Sequence, residues 1–206
     1  MHCLLALAEI AEITCGPTVG TAIQHDPAGS HQLILPRHLD EGGRPLRFDA
    51  TGEPLRMTLK GRLDNHLLRP DDVLFVSRGE RNRAVCVHEC AADAIAPAPC
   101  YRLRLRGGMD PNYLSWLLNQ QVTQQALRER REGSGALLVT VASLAQLPIA
   151  VPPLVEQHRI LGIAATQQRE IELIQTELAA LLRRNDQLAK DFITGRVRAP
   201  AEADRG

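Results

Sequence analysis

The stretch Leu147-Pro-Ile-Ala-Val-Pro-Pro-Leu-Val-Glu-Gln-His-Arg-Ile160 places three prolines within six residues, directly ahead of forty residues that contain none. Proline lacks the amide hydrogen and its ring clashes with the preceding turn, so Pro148, Pro152 and Pro153 forbid helix before Leu154. Pro153 and Glu156 in turn suit the first turn of a helix beginning there. Downstream, between Leu154 and Ile193, Gly162 is the only glycine and helix formers dominate. With Ile160 at position d of a heptad, the d sites are Ile160, Gln167, Ile174, Leu181 and Leu188. The a sites, four residues on, are then Ala164, Ile171, Leu178, Asn185 and Phe192. Eight of these ten are apolar, a pattern that predicts a long helix packed on at least one partner helix, with Asn185 fixing register. At about 1.5 Å per residue it would be roughly 57 Å long, longer than a small domain is wide, and would have to project from what precedes it.

Upstream the texture differs. From Leu4 to Arg106, short apolar runs alternate with clusters of glycine, proline and aspartate, as in Gln32-Leu-Ile-Leu-Pro36, Asp40-Glu-Gly-Gly-Arg-Pro45 and Asp71-Asp-Val-Leu-Phe-Val76. That rhythm predicts strand, turn, strand. Cys100 to Arg106 alternates strictly, which places Tyr101, Leu103 and Leu105 on a core face and Arg102, Arg104 and Arg106 on a polar one, which could track phosphates but is most simply the wet side of a strand. Asp110 caps a helix entered through Pro111 and expected to reach about Arg131, where Gly133-Ser-Gly135 stops it. Leu137 to Val141 returns to β composition, and Ser143 opens a short turn into the proline strap. The fold class is therefore α+β. A mixed, β-rich domain over residues 1–152 is followed by one long coiled-coil helix over 153–194 and a flexible tail over 195–206.

Lysine plus arginine equals aspartate plus glutamate at 24 each, split evenly as 16 against 16 up to Pro152. Binding to a polyanion would therefore come from local patches. Arginine supplies nearly all the positive charge, which suits bidentate recognition, although a GC-rich genome would give the same bias. Five cysteines, an odd set without regular spacing, and an N-terminus unlike a signal peptide lead us to expect a cytoplasmic protein. No apolar run approaches the length of a membrane span.

Three stretches occur in an order that resembles the DNA specificity subunit of Type I restriction-modification systems. They are Leu68-Arg-Pro-Asp-Asp-Val-Leu-Phe-Val-Ser-Arg-Gly79, Asp110-Pro-Asn-Tyr-Leu-Ser-Trp-Leu-Leu-Asn119 and the Leu147–Ile160 strap. The first is similar to the family's L-x-x-G-D-[IV]-L-x-x-x-x-G, with Asp71 where glycine is usual. The third is similar to I-P-[LIV]-P-P-x-x-E-Q-x-x-I and is the most specific. Pro36-Arg-His-Leu-Asp-Glu-Gly-Gly43 is similar to the family's stretch after an early strand. The resemblance implies a target recognition domain on double-stranded DNA, followed by a helix that packs antiparallel on its counterpart and docks methyltransferase subunits. It implies no catalysis and no cofactor in this chain: S-adenosylmethionine, magnesium and ATP would belong to the methyltransferase subunit and, in restricting systems, a restriction subunit. Family members usually contain two domain-plus-helix units. With one, the expected mate is a second copy, as a homodimer, or else a different half-subunit or the helices of a partner.

Within this frame the expected DNA contacts fall in two loops. The insertion between Arg37 and Arg62 carries Arg37, His38, Arg56, Lys60 and Arg62, with Arg44 and Arg47 between them. The loop Ser77-Arg-Gly-Glu-Arg-Asn-Arg83 offers Ser77, Arg78, Arg81, Asn82 and Arg83, since arginine can grip guanine, asparagine adenine, and either phosphate. A solvated hairpin would read the same. The expected partner face of the helix is Ile160, Ile171, Ile174, Leu178, Leu181, Asn185, Leu188 and Phe192. Asp110-Pro-Asn-Tyr113 is one residue away from the catalytic loop of adenine methyltransferases, but no glycine-rich nucleotide loop precedes it and capping accounts for Asp-Pro. Cys86-Val-His-Glu-Cys90 is poorly spaced for a tetrahedral metal, and no lysine sits in a carboxylate cluster of nuclease type. No catalytic or metal-binding residue is assigned. The rival reading is a protein-interaction module or decoy that binds methyltransferase subunits through its helix without reading DNA.

Overall fold

The computed structural model describes residues 3–20, 22–39, 54–132 and 138–196. In chain order the strands and helices begin with β1 (Cys3–Ala6), the single-turn α1 (Leu7–Ile10) and β2 (Ala11–Cys15). Next come β3 (His31–Leu33), β4 (Arg56–Met57), β5 (Val73–Val76), β6 (Ala84–Cys86), β7 (Ala94–Ile95) and β8 (Cys100–Leu105). Two helices, α2 (Pro111–Asn119) and α3 (Gln121–Glu129), precede β9 (Arg131–Glu132), β10 (Leu138–Val139), α4 (Val141–Ala145), β11 (Pro148–Val151) and the 40-residue α5 (Leu154–Ile193). The chain is α+β, ending in a long helix that begins at the residue the prolines dictate.

The central layer is an antiparallel sheet of order β2-β8-β5-β6. All four residues of β5 are buried, which a strand achieves only when both faces of its sheet are covered. Val73 and Phe75 face one core, with Tyr101, Leu103, Leu114, Leu118, Leu127 and Leu144. Leu74 and Val76 face a second, with Ile34, Leu39, Val85, Val87 and Ala94. The second core lies against a smaller sheet of order β4-β3-β7, in which β3 pairs antiparallel with β4 and parallel with β7.

Two expectations are corrected by packing. The helix foreseen from Asp110 to about Arg131 is two helices: Gln120 is extended (φ −68°, ψ 146°) and itself caps α3. No glycine or proline marks the break. Its neighbour Asn119 turns back to the sheet, Ala84 N–H donating to Asn119 Oδ1 (3.1 Å) and Asn119 Nδ2 to Ala84 O (2.7 Å). Nor is the arginine face of β8 wet along its length: Arg106, just past the strand, is exposed as expected, but Arg102 is buried and donates to Asn65 O, Leu67 O, Glu12 and Thr14. Arg104 forks onto both oxygens of buried Asp72 (2.8 and 2.7 Å). Burial, and then the nearby Arg104 charge, lower the Arg102 pKa below the ordinary guanidinium value.

The proline strap divides in two. Pro148 to Val151 is a strand paired antiparallel with β1, in the register Cys3↔Val151 to Ala6↔Pro148. Pro152 and Pro153 then lead into α5, with Gln157 N–H donating to Pro153 O at 3.1 Å. The Gln157 side chain is fully buried: Asp110 N–H donates to its Oε1 (2.8 Å), and its Nε2 donates to Gly108 O (3.2 Å) and Pro152 O (2.7 Å).

The chain divides into two compact units, Met1–Leu161 and Gly162–Gly206, so that the first two turns of α5 belong to the first. Ile160 accordingly packs on the core of the first unit and is not part of a free seam. In the second unit Ile171, Ile174, Leu178, Leu181, Leu188 and Phe192 are each between 47% and 63% exposed, and Asn185 is exposed as well. Gly195 (φ +72°) closes α5, with Arg196 N–H donating to Asp191 O at 2.8 Å. The tail expected from residue 195 therefore starts as a helix cap, and its residues from 197 onward lie outside the described ones. Among the described residues no helix is long and apolar enough to cross a membrane.

Candidate nucleic-acid interface

The hairpin between β5 and β6 is closed by Val76 N–H donating to Arg83 O (2.8 Å) and turns at Gly79, whose φ of +112° excludes other residues. Of the five side chains singled out in this loop, two point inward. Ser77 is buried and donates to Pro99 O at 2.8 Å. Asn82 has 0% exposure, its Nδ2 donating to Val76 O (2.9 Å) and its Oδ1 accepting from Arg131 Nε (3.2 Å) and Nη2 (2.9 Å). Both have spent their polar atoms on the chain itself, so they shape the hairpin and do not form its outer surface.

Three arginines remain. Arg78 is exposed on a strand-like bridge to Leu138. Arg81 is exposed and donates one hydrogen bond to Asn119 O (2.9 Å), at the end of α2. Arg83 is half-buried and donates to Leu39 O (3.2 Å) and Pro36 O (3.3 Å). That last reach ties the hairpin to the short turn Pro36–His38, bringing two candidate loops from distant sequence onto one side of the fold.

On that turn Arg37 is exposed and His38 half-buried, with Leu35 N–H donating to His38 Nδ1 at 3.2 Å. Burial, then the Arg37 charge, lower the His38 pKa below the usual imidazole range, so the ring is neutral at pH 7 and offers a hydrogen bond instead of charge. Residues 40–53, with Arg44 and Arg47, lie outside the described ones. Beyond them Arg56 is a framework residue, its guanidinium donating to Gly29 O (3.1 Å) and paired with Asp93. Lys60 and Arg62 are exposed, and the Arg62–Asp64 pair at 3.9 Å is open to water on both sides and contributes little. Among the described residues no hydrogen bond joins Lys60 or Arg62 to the hairpin.

The other wall of the hairpin is basic as well. Arg128 and Arg131 lie at the end of α3 and beside it, with Arg131 Nη2 donating to Glu80 O at 2.7 Å. The cluster Arg128-Glu-Arg-Arg131 was visible as sequence, but only the α2–α3 break brings it alongside residues 78–83. Buried Gln124 joins the two: it accepts from Asn82 N–H (3.1 Å) and donates to Asn82 O (2.6 Å).

The remaining motifs have local roles. Asp110 caps α2, Asn112 N–H donating to its Oδ1 at 2.7 Å, while its Oδ2 lies 3.0 Å from His158 Nε2. Burial, then Asp71, push the Cys86 thiol up to about 12, and His88 Nε2 lies 2.7 Å from Asn112 Oδ1. Among the described residues no three His, Cys, Asp or Glu side chains converge as metal ligands.

Neither a family model nor a curated protein matches the chain. Solved structures do. The chain is similar to the HsdS subunit from Thermoanaerobacter tengcongensis, with a TM-score of 0.58 and 16% identity over 82% of this chain and 38% of that one. It is also similar to a chain from a structure of complex assembly and conformational transition in a type I R-M system. There the TM-score is 0.64 and the identity 18%, over 91% of this chain and 44% of that one. It thus spans under half the length of either. What is shared at this identity is the fold, a β-rich domain running into a long helix, and it is the fold of a type I restriction-modification S subunit.

Proposed function

We propose that the chain is a half-length DNA specificity subunit of a Type I restriction-modification complex. In this reading residues 1–152 form a target recognition domain, 153–194 the spacer and docking helix, and 195–206 a tail, in a cytoplasmic protein. The observation that carries the proposal is the pairing, in one chain of this fold, of two features. One is an arginine-bearing hairpin fixed to the central sheet through Asn82 and Gln124; the other is a 40-residue helix with an exposed apolar stripe.

The reading surface consists of Arg78, Arg81 and Arg83 on the hairpin, Arg37 and His38 on the adjoining turn, and Lys60 and Arg62 beyond β4. Side chains on a rigid sheet lose little freedom on contact, which favours sequence readout. The stripe on α5 pairs antiparallel with a second copy, since each buried leucine or isoleucine contributes about 1.5–3 kcal/mol. The paired helices position a methyltransferase subunit, and in a restricting system a restriction subunit, on a bipartite site. The chain itself performs no chemistry and holds no cofactor.

The test is selection. Purified chain with its methyltransferase subunit is incubated with a random-sequence duplex library at moderate salt, and bound DNA is sequenced. A recovered bipartite motif supports the reading. Assembly with the methyltransferase but no enriched sequence would establish the rival, a helix-borne decoy, and methyl transfer or cleavage by the chain alone would refute the non-catalytic role.

A further inference from the structure

The hairpin and α3 flank an open cleft of about 520 Å³ lined by Glu80, Arg81, Asn119, Gln121, Gln124 and Arg128. Resting on the DNA-reading proposal above, we propose that this cleft seats a backbone phosphate of duplex DNA between Arg81 and Arg128, making α3 a second, sequence-independent contact beside the reading hairpin.

Charge is the first argument. The whole chain has a formal net charge of zero, yet residues 78–83 and 128–131 carry six arginines against two glutamates. The excess is uncompensated where it matters: among the described residues neither Arg81 nor Arg128 has a carboxylate within ion-pair distance. Arg131, beside them, spends its donors on Glu80 O and Asn82 Oδ1, both formally neutral, so its charge too is unpaired by any described carboxylate. Among the described lining residues Glu80 is the one acid, against two arginines.

Rigidity is the second. The wall carrying Arg81 is held by Asn82, whose backbone N–H and C=O both bond the Gln124 side chain, which also donates to Leu118 O at 2.7 Å. Arg81 is itself aimed by its bond to Asn119 O, which occupies one donor and leaves a guanidinium with further N–H groups in a fixed fork. A cation on a preorganised wall binds an anion without first losing chain entropy. Asn119 Nδ2 and Gln124 Nε2 each donate twice within the chain and so build the wall, which leaves Gln121 as the lining carboxamide that can offer a neutral donor to the phosphate.

Placement decides between phosphate and base. The cleft opens between α3 and the flank of the hairpin turn that carries Glu80 and Arg81, and Arg81 is anchored there to the main chain at Asn119 O. A contact there fixes register and orientation while leaving Arg78 to meet base edges.

The experiment uses the full-length chain and labelled 30-base-pair duplexes of several unrelated sequences, with affinity followed by fluorescence anisotropy at a series of NaCl concentrations. Each phosphate contact adds about 0.9 to the slope of log affinity against log salt. Arg81→Gln and Arg128→Gln are each expected to reduce that slope by about one and to weaken binding several-fold at low salt, equally on every duplex. Inorganic phosphate titrated against the chain should shift the Arg81 and Arg128 side-chain Nε resonances at millimolar concentrations, and the duplexes should do so at far lower ones. Wild-type slopes in both variants, with Lys60→Gln or Arg62→Gln lowering them, would overturn the cleft while leaving DNA reading intact. So would phosphate perturbing the Nε signals when DNA does not, which would mark a free-anion site. If the wild-type chain shows no salt-dependent binding to any duplex, both proposals fall.

Discussion

Asp71 adopts φ +70°, the only positive φ among the described non-glycine residues. It occupies the third position of a turn in which Pro70 is second and Asp72 N–H donates to Arg69 O at 3.1 Å, the type II arrangement that favours glycine there. The sequence already marked this position, because glycine is usual in the stretch it resembles. Asp71→Gly is expected to stabilise the fold by about 0.5–1 kcal/mol, net of glycine's greater freedom when unfolded. Urea unfolding checks it, with Asp71→Ala as control; an equal gain from alanine would assign the effect to charge. The thiols give a second prediction at this scale. Burial pushes Cys86 and Cys100 up to about 12, so at pH 8 they remain protonated and unreactive. Ellman's reagent should label exposed Cys3 and Cys15 quickly, and Cys86 and Cys100 only on unfolding. Other residues were not legible. Arg102 looked solvated, and its cover comes from Asn65 and Leu67, more than thirty positions earlier. Ser77 and Asn82 looked like loop surface because nothing local shows that Pro99 and Arg131 fold over them.

Among the elements, α5 was the most legible, since three prolines and a heptad pattern state its start and its stripe. The α2–α3 break was the least, because no residue that disfavours helix marks it and the cause is a tertiary bond from Asn119 to Ala84. Gln157 joins the two helical systems. Replacing it by alanine strands the Asp110 N–H and the Gly108 and Pro152 carbonyls, which should cost about 3 kcal/mol, read as a lower urea midpoint at unchanged slope. The stripe has its own test. Ile174→Asp with Leu181→Asp should reduce the assembly to single chains by light scattering while the circular dichroism of the β-rich domain persists; an unchanged mass would show that the seam lies elsewhere. Ile160 would be a poor choice for that experiment, because it packs on the domain core.

At the scale of the whole molecule, the proposed helix pairing would relate two identical readers by a two-fold axis, and such a pair would read a split palindrome with half-sites set apart by the helices. Base-resolved methylation sequencing of the host, with and without this gene, should therefore reveal a symmetric interrupted motif. An asymmetric one would mean that the helix mates with a different reader. The architecture was legible here and the proposed DNA surface was not. The order of motifs implied domain then helix, but the cleft at Arg81 and Arg128 exists only because α3 returns to the hairpin.

The pairing of β1 with β11 has a further consequence. Residues 3–6 and 148–151 are hydrogen-bonded neighbours, so the polypeptide enters and leaves the β-rich domain through the same antiparallel ladder. Everything between them is a closed excursion whose two feet stand side by side. A different excursion planted on the same two feet would leave the strand that leads into the helix unchanged, so that, on the proposed function, a new recognition specificity could be acquired as a cassette, by recombination in two short flanks.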